Sequence, residues 1–183
     1  MNTRIAGQGR YAQPEREQRW LLGGLPSGLH DPVQIVDFYF PGTRLRLRRM
    51  ESGTGVVHKL GQKVRTRPDS PEELKLTNLY LSEQEYDLLV QLGGAELHKT
   101  RWHGSNANRS LAVDEFQGHL AGLILAEVEL SPDEAKITPL PCAVADVTED
   151  DRFTGGTLAH MNSREARSLL GHVTSLGVGT ATE

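Results

Sequence analysis

Cysteine is nearly absent. One residue, Cys142, stands in 183, so no internal disulfide and no multi-cysteine zinc site can form. Cys142 itself reads as a small buried hydrophobe rather than a catalytic thiol. The seven histidines are scattered, without an HExxH motif or a close pair, which argues against a histidine-built zinc site. No apolar run approaches the ~20 residues a membrane helix needs. The opening stretch MNTRIAGQGRYAQPE lacks the apolar segment of a secretory signal. Gly53-Thr54-Gly55 has neither the lysine nor the following helix of a phosphate loop and reads as a hairpin turn. Internal repeats and low-complexity tracts are also missing. These absences point to a reduced, cytoplasmic protein with no membrane partner. The length fits one domain at roughly 150 residues each, and 37% apolar residues suffice for one core.

What the chain does have is segregated charge. The net charge is −4. Between Arg44 and Arg67, however, eight basic residues (Arg44, Arg46, Arg48, Arg49, Lys59, Lys63, Arg65, Arg67) accompany one acid, Glu51. Between Glu127 and Asp151, eight acids accompany one base, Lys136. A chain that is not uniformly basic gives no reason to expect a nucleic-acid polymer as partner.

Hydrophobic patterning predicts strands over 15–22, 34–40, 43–50, 56–65, 75–81, 97–102, 110–117 and 122–130. Glycine, proline, serine and asparagine separate most of them, as at Gly23-Gly24, Pro41-Gly42, Pro68 to Pro71, Gly93-Gly94 and Gly104 to Asn108. Eight short strands suggest a barrel or sandwich. Ser82 with Glu85 forms a capping box for a helix whose apolar positions are Tyr86, Leu89, Val90 and Leu92, and which Gly93 stops. Asn162 with Glu165 starts a second helix, expected to stop at Gly171. Ser131-Pro132-Asp133-Glu134 offers a third, short one. Residues 1–13 read as a flexible leader, 14–176 as a single domain and 177–183 as a frayed tail. Trp20 and Trp102 read as core packing under a helix, His119 as a surface turn residue, and Glu149-Asp150-Asp151 as a solvated acidic turn.

Alternate side chains of a strand point to opposite faces. Glu15, Glu17 and Arg19 therefore share a face, as do Arg44, Arg46 and Arg48, Lys59 and Lys63 with Gly61 between them, Lys99 and Arg101, and Glu127 and Glu129; Asp114 opposes Val113. On several of these strands the charged side carries a single sign. Like charges two apart repel, and an ordinary solvated face mixes signs. A closed barrel with leucines outward under helices and charges lining a polar interior resolves the pattern. Carboxylates are hard ligands for Mg²⁺ or Mn²⁺, and arginine and lysine match phosphate oxygens. A tunnel holding both has the makeup of a metal–polyphosphate site.

The motifs EREQR (15–19), RLRLR (44–48), KTRW (99–102), VDEFQGHLAGLILAEVEL (113–130) and DVTEDDRFTGGTLA (146–159) occur in this order. Together they resemble the CYTH family, the triphosphate tunnel metalloenzymes. The resemblance spans Glu15 to about Ala159. It implies a mainly β, α+β fold, an eight-stranded antiparallel closed β-barrel with helices packed outside. It also implies metal-dependent hydrolysis of a triphosphate or polyphosphate small molecule (inorganic, nucleoside or thiamine triphosphate). Carried over by position, Glu15, Glu17, Glu127 and Glu129 are the catalytic carboxylates that hold Mg²⁺ or Mn²⁺. Arg19, Arg46, Arg48, Lys63, Lys99 and Arg101 are the triphosphate clamp, joined by Arg44, since three arginines stand where the family has two. Asp114 matches a family aspartate near the tunnel mouth.

The sequence departs from the family in two places. Arg19 stands where the family has lysine. Asn78 and Tyr80 stand where many members carry a Glu-x-Glu pair, which removes ligands for a second metal. That departure favours a non-catalytic polyphosphate- or nucleotide-binding module as the alternative to the hydrolase. Adenylyl cyclase chemistry, known within the family, and a plain β-domain with solvated charges are the other readings. The sequence does not fix an oligomeric state.

Overall fold

The period-two alternation becomes a barrel. The structure, a computed structural model, describes residues 6–7, 9–65, 73–106, 108–131 and 133–178. Outside the described residues lie most of the expected leader's first eight positions (1–5 and 8), the Pro68 to Pro71 punctuation, Pro132 and the last five residues of the expected tail. The strands are β1 (Gln13–Leu22), β2 (His30–Tyr39), β3 (Leu45–Ser52), β4 (Gly55–Arg65), β5 (Glu73–Leu81), β6 (Ala95–Asn106), β7 (Arg109–Phe116), β8 (Ile124–Glu129) and β9 (Ala143–Asp146). The helices are α1 (Glu83–Val90), α2 (Gly155–His160) and α3 (Ser163–Val178). All eight expected strands form, with their ends shifted by a few residues.

The strands run antiparallel in the order β5-β4-β3-β2-β6-β7-β8-β1-β9. β1 closes the ring. Its residues 17–21 pair with β8 and its residues 13–16 with β5, while 20–22 also hold the extra strand β9. Closure leaves no free edge between β5 and β1 and commits every inward side chain to a shared interior.

Two apolar clusters frame this interior. One joins Leu21, Leu97, Phe116, Leu125 and Phe153 to Leu158 of α2 and Ala166, Leu169 and Val173 of α3, with Tyr39 packed against it. The other gathers Trp20, Leu22, Leu111, Val113, Ala126 and Val128 beneath Ile137, Leu140 and Cys142. Trp20 is therefore core as expected, but its cover is the loop between β8 and β9 rather than a helix. Cys142 is half-buried in that cover, and His119 lies exposed in a 3₁₀ turn over Gly118–Leu120.

Local signals account for the helix ends. Ser82 accepts from the Glu85 N–H while Glu85 returns to the Ser82 N–H. Gly93, at φ 70°, donates to the Val90 carbonyl and ends the turn after α1. Asn162 and Glu165 cap α3 in the same reciprocal way. Four expectations need correction. α1 buries only Tyr86, which stacks on His58 with ring centroids 4.3 Å apart, and Leu92 is exposed. α3 does not stop at Gly171 but runs to Val178, into the expected tail. It buries Ala166, Leu169 and Val173 across a glycine whose own side faces open space, and that packing outweighs the ~1 kcal/mol helix penalty of glycine. The segment from Ser131 is a turn rather than a helix, with the Glu134 N–H donating to the Ser131 carbonyl and the Ser131 N–H to Glu134 Oε2. β1 begins at Gln13, the last residue of the expected leader.

α2 docks through its first residue, because a Cβ on Gly155 would collide with the Tyr39 hydroxyl. Gly155→Ala is expected to force Tyr39 aside and cost about 1–3 kcal/mol, read as a lower urea midpoint at unchanged m-value.

Candidate active site

Strand parity places the charges. β1 contributes Glu15, Glu17 and Arg19, β3 Arg46 and Arg48, β4 Lys59, Gly61, Lys63 and Arg65, β5 Asn78, β6 Lys99 and Arg101, and β8 Glu127 to one cavity of about 520 Å³. Arg44, Thr43, Asp151 and Thr154 to Gly156 are also among its lining, with Tyr39, Leu45, Met50, Leu74, Leu76 and Thr148. Nine cationic side chains face four carboxylates there. The cavity is thus strongly positive in a chain of net charge −4, the local field a small polyanion requires.

The charges form a continuous chain. Lys99 and Arg101 both bond Asp114, Arg101 through Nε to Oδ1 and Nη2 to Oδ2 at 2.7 Å each. Arg101 Nη2 also donates to Glu127 Oε2 at 2.7 Å. Glu127 Oε1 accepts from Arg19 Nε at 2.9 Å, and Arg19 Nη2 reaches Glu17 Oε2 at 3.3 Å. Lys63 Nζ then lies 3.8 Å from Glu17 and 2.6 Å from Glu15. Glu15 Oε2 is buried with the Lys63 ammonium as its partner. Across the cavity Arg48 holds Asp37 through Nε at 2.6 Å and Nη2 at 2.7 Å. Arg46 stands 3.7 Å from the same carboxylate.

Burial and pairing set the protonation states. Burial opposes ionisation of Asp37, yet the Arg48 and Arg46 guanidiniums hold it well below the usual carboxylate range. Burial likewise opposes ionisation of Glu127, and Arg19 and Arg101 overcome it. Glu17 goes the other way. Burial and the neighbouring Glu127 push its carboxyl up, more than Lys63 and Arg19 pull it down. Lys99 is pushed below the usual lysine range by burial, with Asp114 opposing.

Of the expected site residues, Glu15, Glu17, Glu127, Arg19, Arg46, Arg48, Lys63, Lys99, Arg101 and Arg44 line this cavity. Two do not. Glu129 is exposed and outside the lining. It is the register partner of Glu17, and like charges directly opposite repel; Glu17 is kept inside by Lys63 and Arg19 while Glu129 faces water. Asp114 is 1% exposed. It lies beneath the cations rather than at a mouth, fixing Lys99 and Arg101 instead of meeting an anionic substrate. Sequence reasoning missed Asp37, Tyr39 and Arg65, and it placed Lys59 on the face of Lys63 without giving it a role. Arg65 shares the parity of Lys63 and is within reach of the period-two argument. The acidic turn is not merely solvated, since Asp151 pairs with Arg65 at 2.5 Å on the cavity rim.

A divalent metal can be tested against these donors. Among the described residues no group of three carboxylate, histidine or cysteine side chains stands together as a ready cage. Glu15 and Glu17 do converge on Lys63, whose ammonium holds Glu15 Oε2 at 2.6 Å and would have to make room for a cation. Mg²⁺ characteristically binds through one or two carboxylates plus substrate phosphates and waters rather than a closed protein cage. The residues present fit a cation of that kind.

No family model matches the chain. An inorganic triphosphatase of Nitrosomonas europaea is 29% identical over 160 residues, covering 79% of this chain and 96% of that protein. A crystal structure of an inorganic triphosphatase superposes with a TM-score of 0.55 at 28% identity, covering 81% of this chain and 95% of that one. A second crystal structure, of a protein described as hypothetical, gives 0.55 at 28% identity over 80% of this chain and 98% of that one. Similarity over 79% of the chain thus accompanies the ordered motifs, the closed barrel and the charge-lined interior. Motifs, barrel and interior together are what the resemblance to the CYTH, or triphosphate tunnel, family implies. Asn78 lines the cavity, and Tyr80, 73% exposed, lies at the lip with Lys59 Nζ 5.0 Å from its ring centroid.

Two variants test the charge chain. Asp37→Asn leaves Arg48 and Arg46 buried without a counter-charge and is expected to cost about 3–5 kcal/mol in chemical denaturation. Glu17→Gln is expected to raise the melting temperature of the metal-free protein by a few degrees at pH 7. A carboxyl whose pKa is raised on folding costs stability once ionised. The gain should therefore shrink as pH falls and vanish below the ordinary glutamate value of 4.5, where Glu17 is neutral in both states.

Proposed function

We infer that this protein hydrolyses the phosphoanhydride bond of triphosphate compounds, inorganic triphosphate first among them, with Mg²⁺ or Mn²⁺ entering alongside the substrate. The carrying observation is the single cavity in which nine cations meet a wall of three glutamates. Similarity to an inorganic triphosphatase over 79% of this chain and 96% of that protein supports the same reading. The single cysteine supports a reducing, cytoplasmic setting.

The residues divide the work. Arg46, Arg48, Lys99 and Arg101 offer donors to the phosphoryl oxygens, with Arg19 and Lys63 on the glutamate side. Asp37 and Asp114 lie behind them and fix the guanidiniums before substrate arrives. Donors set in advance stabilise developing charge without reorganisation during reaction. Clamping the chain also aligns its terminal phosphorus for in-line attack by water. The new P–O bond to water forms as the anhydride bond breaks, giving orthophosphate and pyrophosphate. Glu15 and Glu17 would hold the cation, with Glu127 nearby. When bound, that cation neutralises phosphate charge and polarises the phosphoryl oxygens.

A second reading, binding without turnover, is favoured by Asn78 and by the lack of a three-carboxylate cage among the described residues. Phosphate release from tripolyphosphate, ATP and thiamine triphosphate, with Mg²⁺, Mn²⁺ or EDTA, separates the two. The hydrolase reading expects cation-dependent release from tripolyphosphate. Binding with no release from any compound establishes the module instead. Glu15→Gln is expected to lower the cation-dependent rate on the order of 10²-fold with little change in melting temperature. Glu129→Gln should stay near the parent rate, and a large loss there would show that the cavity described is not the reacting site.

A further inference from the structure

β1 closes the ring against residues 73–76 of β5 and pairs no further along that strand. The next five residues of β5, 77–81 (TNLYL), pair with β4 on one side. Among the described residues no strand pairs with them on the other, and no backbone hydrogen bond outside the sheet reaches them. Alternate N–H and C=O groups of this stretch therefore point away from β4 with no strand to meet them.

Strand edges in natural proteins are very short, or carry charge, proline or a cover. The far end of the sheet follows this rule, since β9 has four residues and ends on Asp146. The β5 edge does not. TNLYL holds no charged residue and no proline, and Leu79 and Tyr80 are 53% and 73% exposed. The chain before β1 does not run along this edge at Gly7. There it lies against the outer face of β4, where a Cβ would stand 3.0 Å from the Val64 side chain.

The open stretch fits a copy of itself. It is bounded by Leu76, which Gln13 already pairs, and by Ser82, which caps α1. Two such edges laid antiparallel across a two-fold axis match in one register. Leu79 then stands opposite the partner's Leu79, Asn78 opposite the partner's Tyr80, and Thr77 opposite the partner's Leu81. The same register brings Lys75, on the outer face with Leu79, level with the partner's Glu83, the first residue of α1. Opposite charges thus meet at both ends of the pairing.

We propose that residues 77–81 of β5 form an antiparallel strand-to-strand interface with a second copy of this chain, joining two barrels into a symmetric dimer. Backbone hydrogen bonds supply the attraction, and Leu79 at the axis supplies an apolar centre. The pairing does not depend on what the cavity binds. Because the interface is short, the dimer forms with rising concentration and is not obligate.

Sedimentation velocity at increasing protein concentration tests the interface. The parent is expected to pass from monomer to dimer. Leu79→Lys sets like charges against each other at the axis and removes the apolar centre. It should weaken dimerisation by about tenfold or more at an unchanged monomer melting temperature, since Leu79 is exposed. Lys75→Glu should weaken it too, and adding Glu83→Lys should restore it. Leu79→Cys checks the register, because directly opposed residues of an antiparallel pair stand within disulfide reach. Mild oxidation should link that variant into a covalent dimer. Val56→Cys, exposed on β4 away from the edge, should not link. A parent that stays monomeric at every concentration overturns the proposal, whether or not another chain pairs with the edge. So does a dimer that survives Leu79→Lys undiminished, or one that Leu79→Cys fails to link.

Discussion

Everything in the tunnel depends on the pairing of buried charges inside a closed wall. An isolated ion in a protein interior costs several kcal/mol even after relaxation. Here that cost is met by alternation, with Asp114, Arg101, Glu127, Arg19 and Glu17 each hydrogen-bonded to the next. Remove any carboxylate and two cations lose a partner; remove any cation and two carboxylates repel. Glu17 already shows the balance at its limit. Its cations are shared with Glu127 and Glu15, and burial wins. The two most buried acids, Asp37 and Asp114, belong to the clamp rather than to the glutamate wall, and each takes more than one cation. They turn flexible cations into fixed donors.

Such an interior contributes little net stability, because desolvation offsets most of the attraction. The fold must be held elsewhere. The aliphatic faces of β1, β7 and β8 are buried under the loop between β8 and β9, and α2 and α3 pack on Leu21, Leu97 and Leu125 at one end of the interior. The barrel is thus divided along its axis. Leu21 and Arg19 share a face of β1, as do Leu125 and Glu127 on β8, so within one strand the inward row passes from core to site in two residues. That adjacency gives the charged side chains rigid neighbours, which a site built to discriminate by geometry requires.

Much of this was legible in the sequence because its strongest signal, period two with one sign of charge, is also the strongest constraint on the fold. EREQR, RLRLR, KTR and AEVE gave both the strands and the inward faces. What was not legible depends on partners distant in sequence. Asp37 sits alone in an aromatic strand, IVDFYF, and only the register of β2 with β3 brings Arg48 to it. Glu129 obeys the same parity as Glu127, but parity cannot tell a strand's middle from its end. β9 is four residues long, and α2 begins with two glycines that read as a loop. Gly171 reads as a stop on single-residue propensity alone, and the apolar stripe of Ala166, Leu169 and Val173 carries α3 past it.

The charge segregation noted at the outset has a physical consequence once folded. Most of the basic block, from Arg44 to Arg65, turns inward to the cavity, while Glu149, Asp150 and Asp151 stay at the surface beside its rim. Each of these acids is itself paired, Glu149 with Lys136, Asp150 with Arg152 and Asp151 with Arg65. The rim is therefore locally balanced, and the excess positive charge lies within the closed wall, where low-dielectric surroundings focus the field. The same barrel closure that forces the cations together thus also confines their field to the interior.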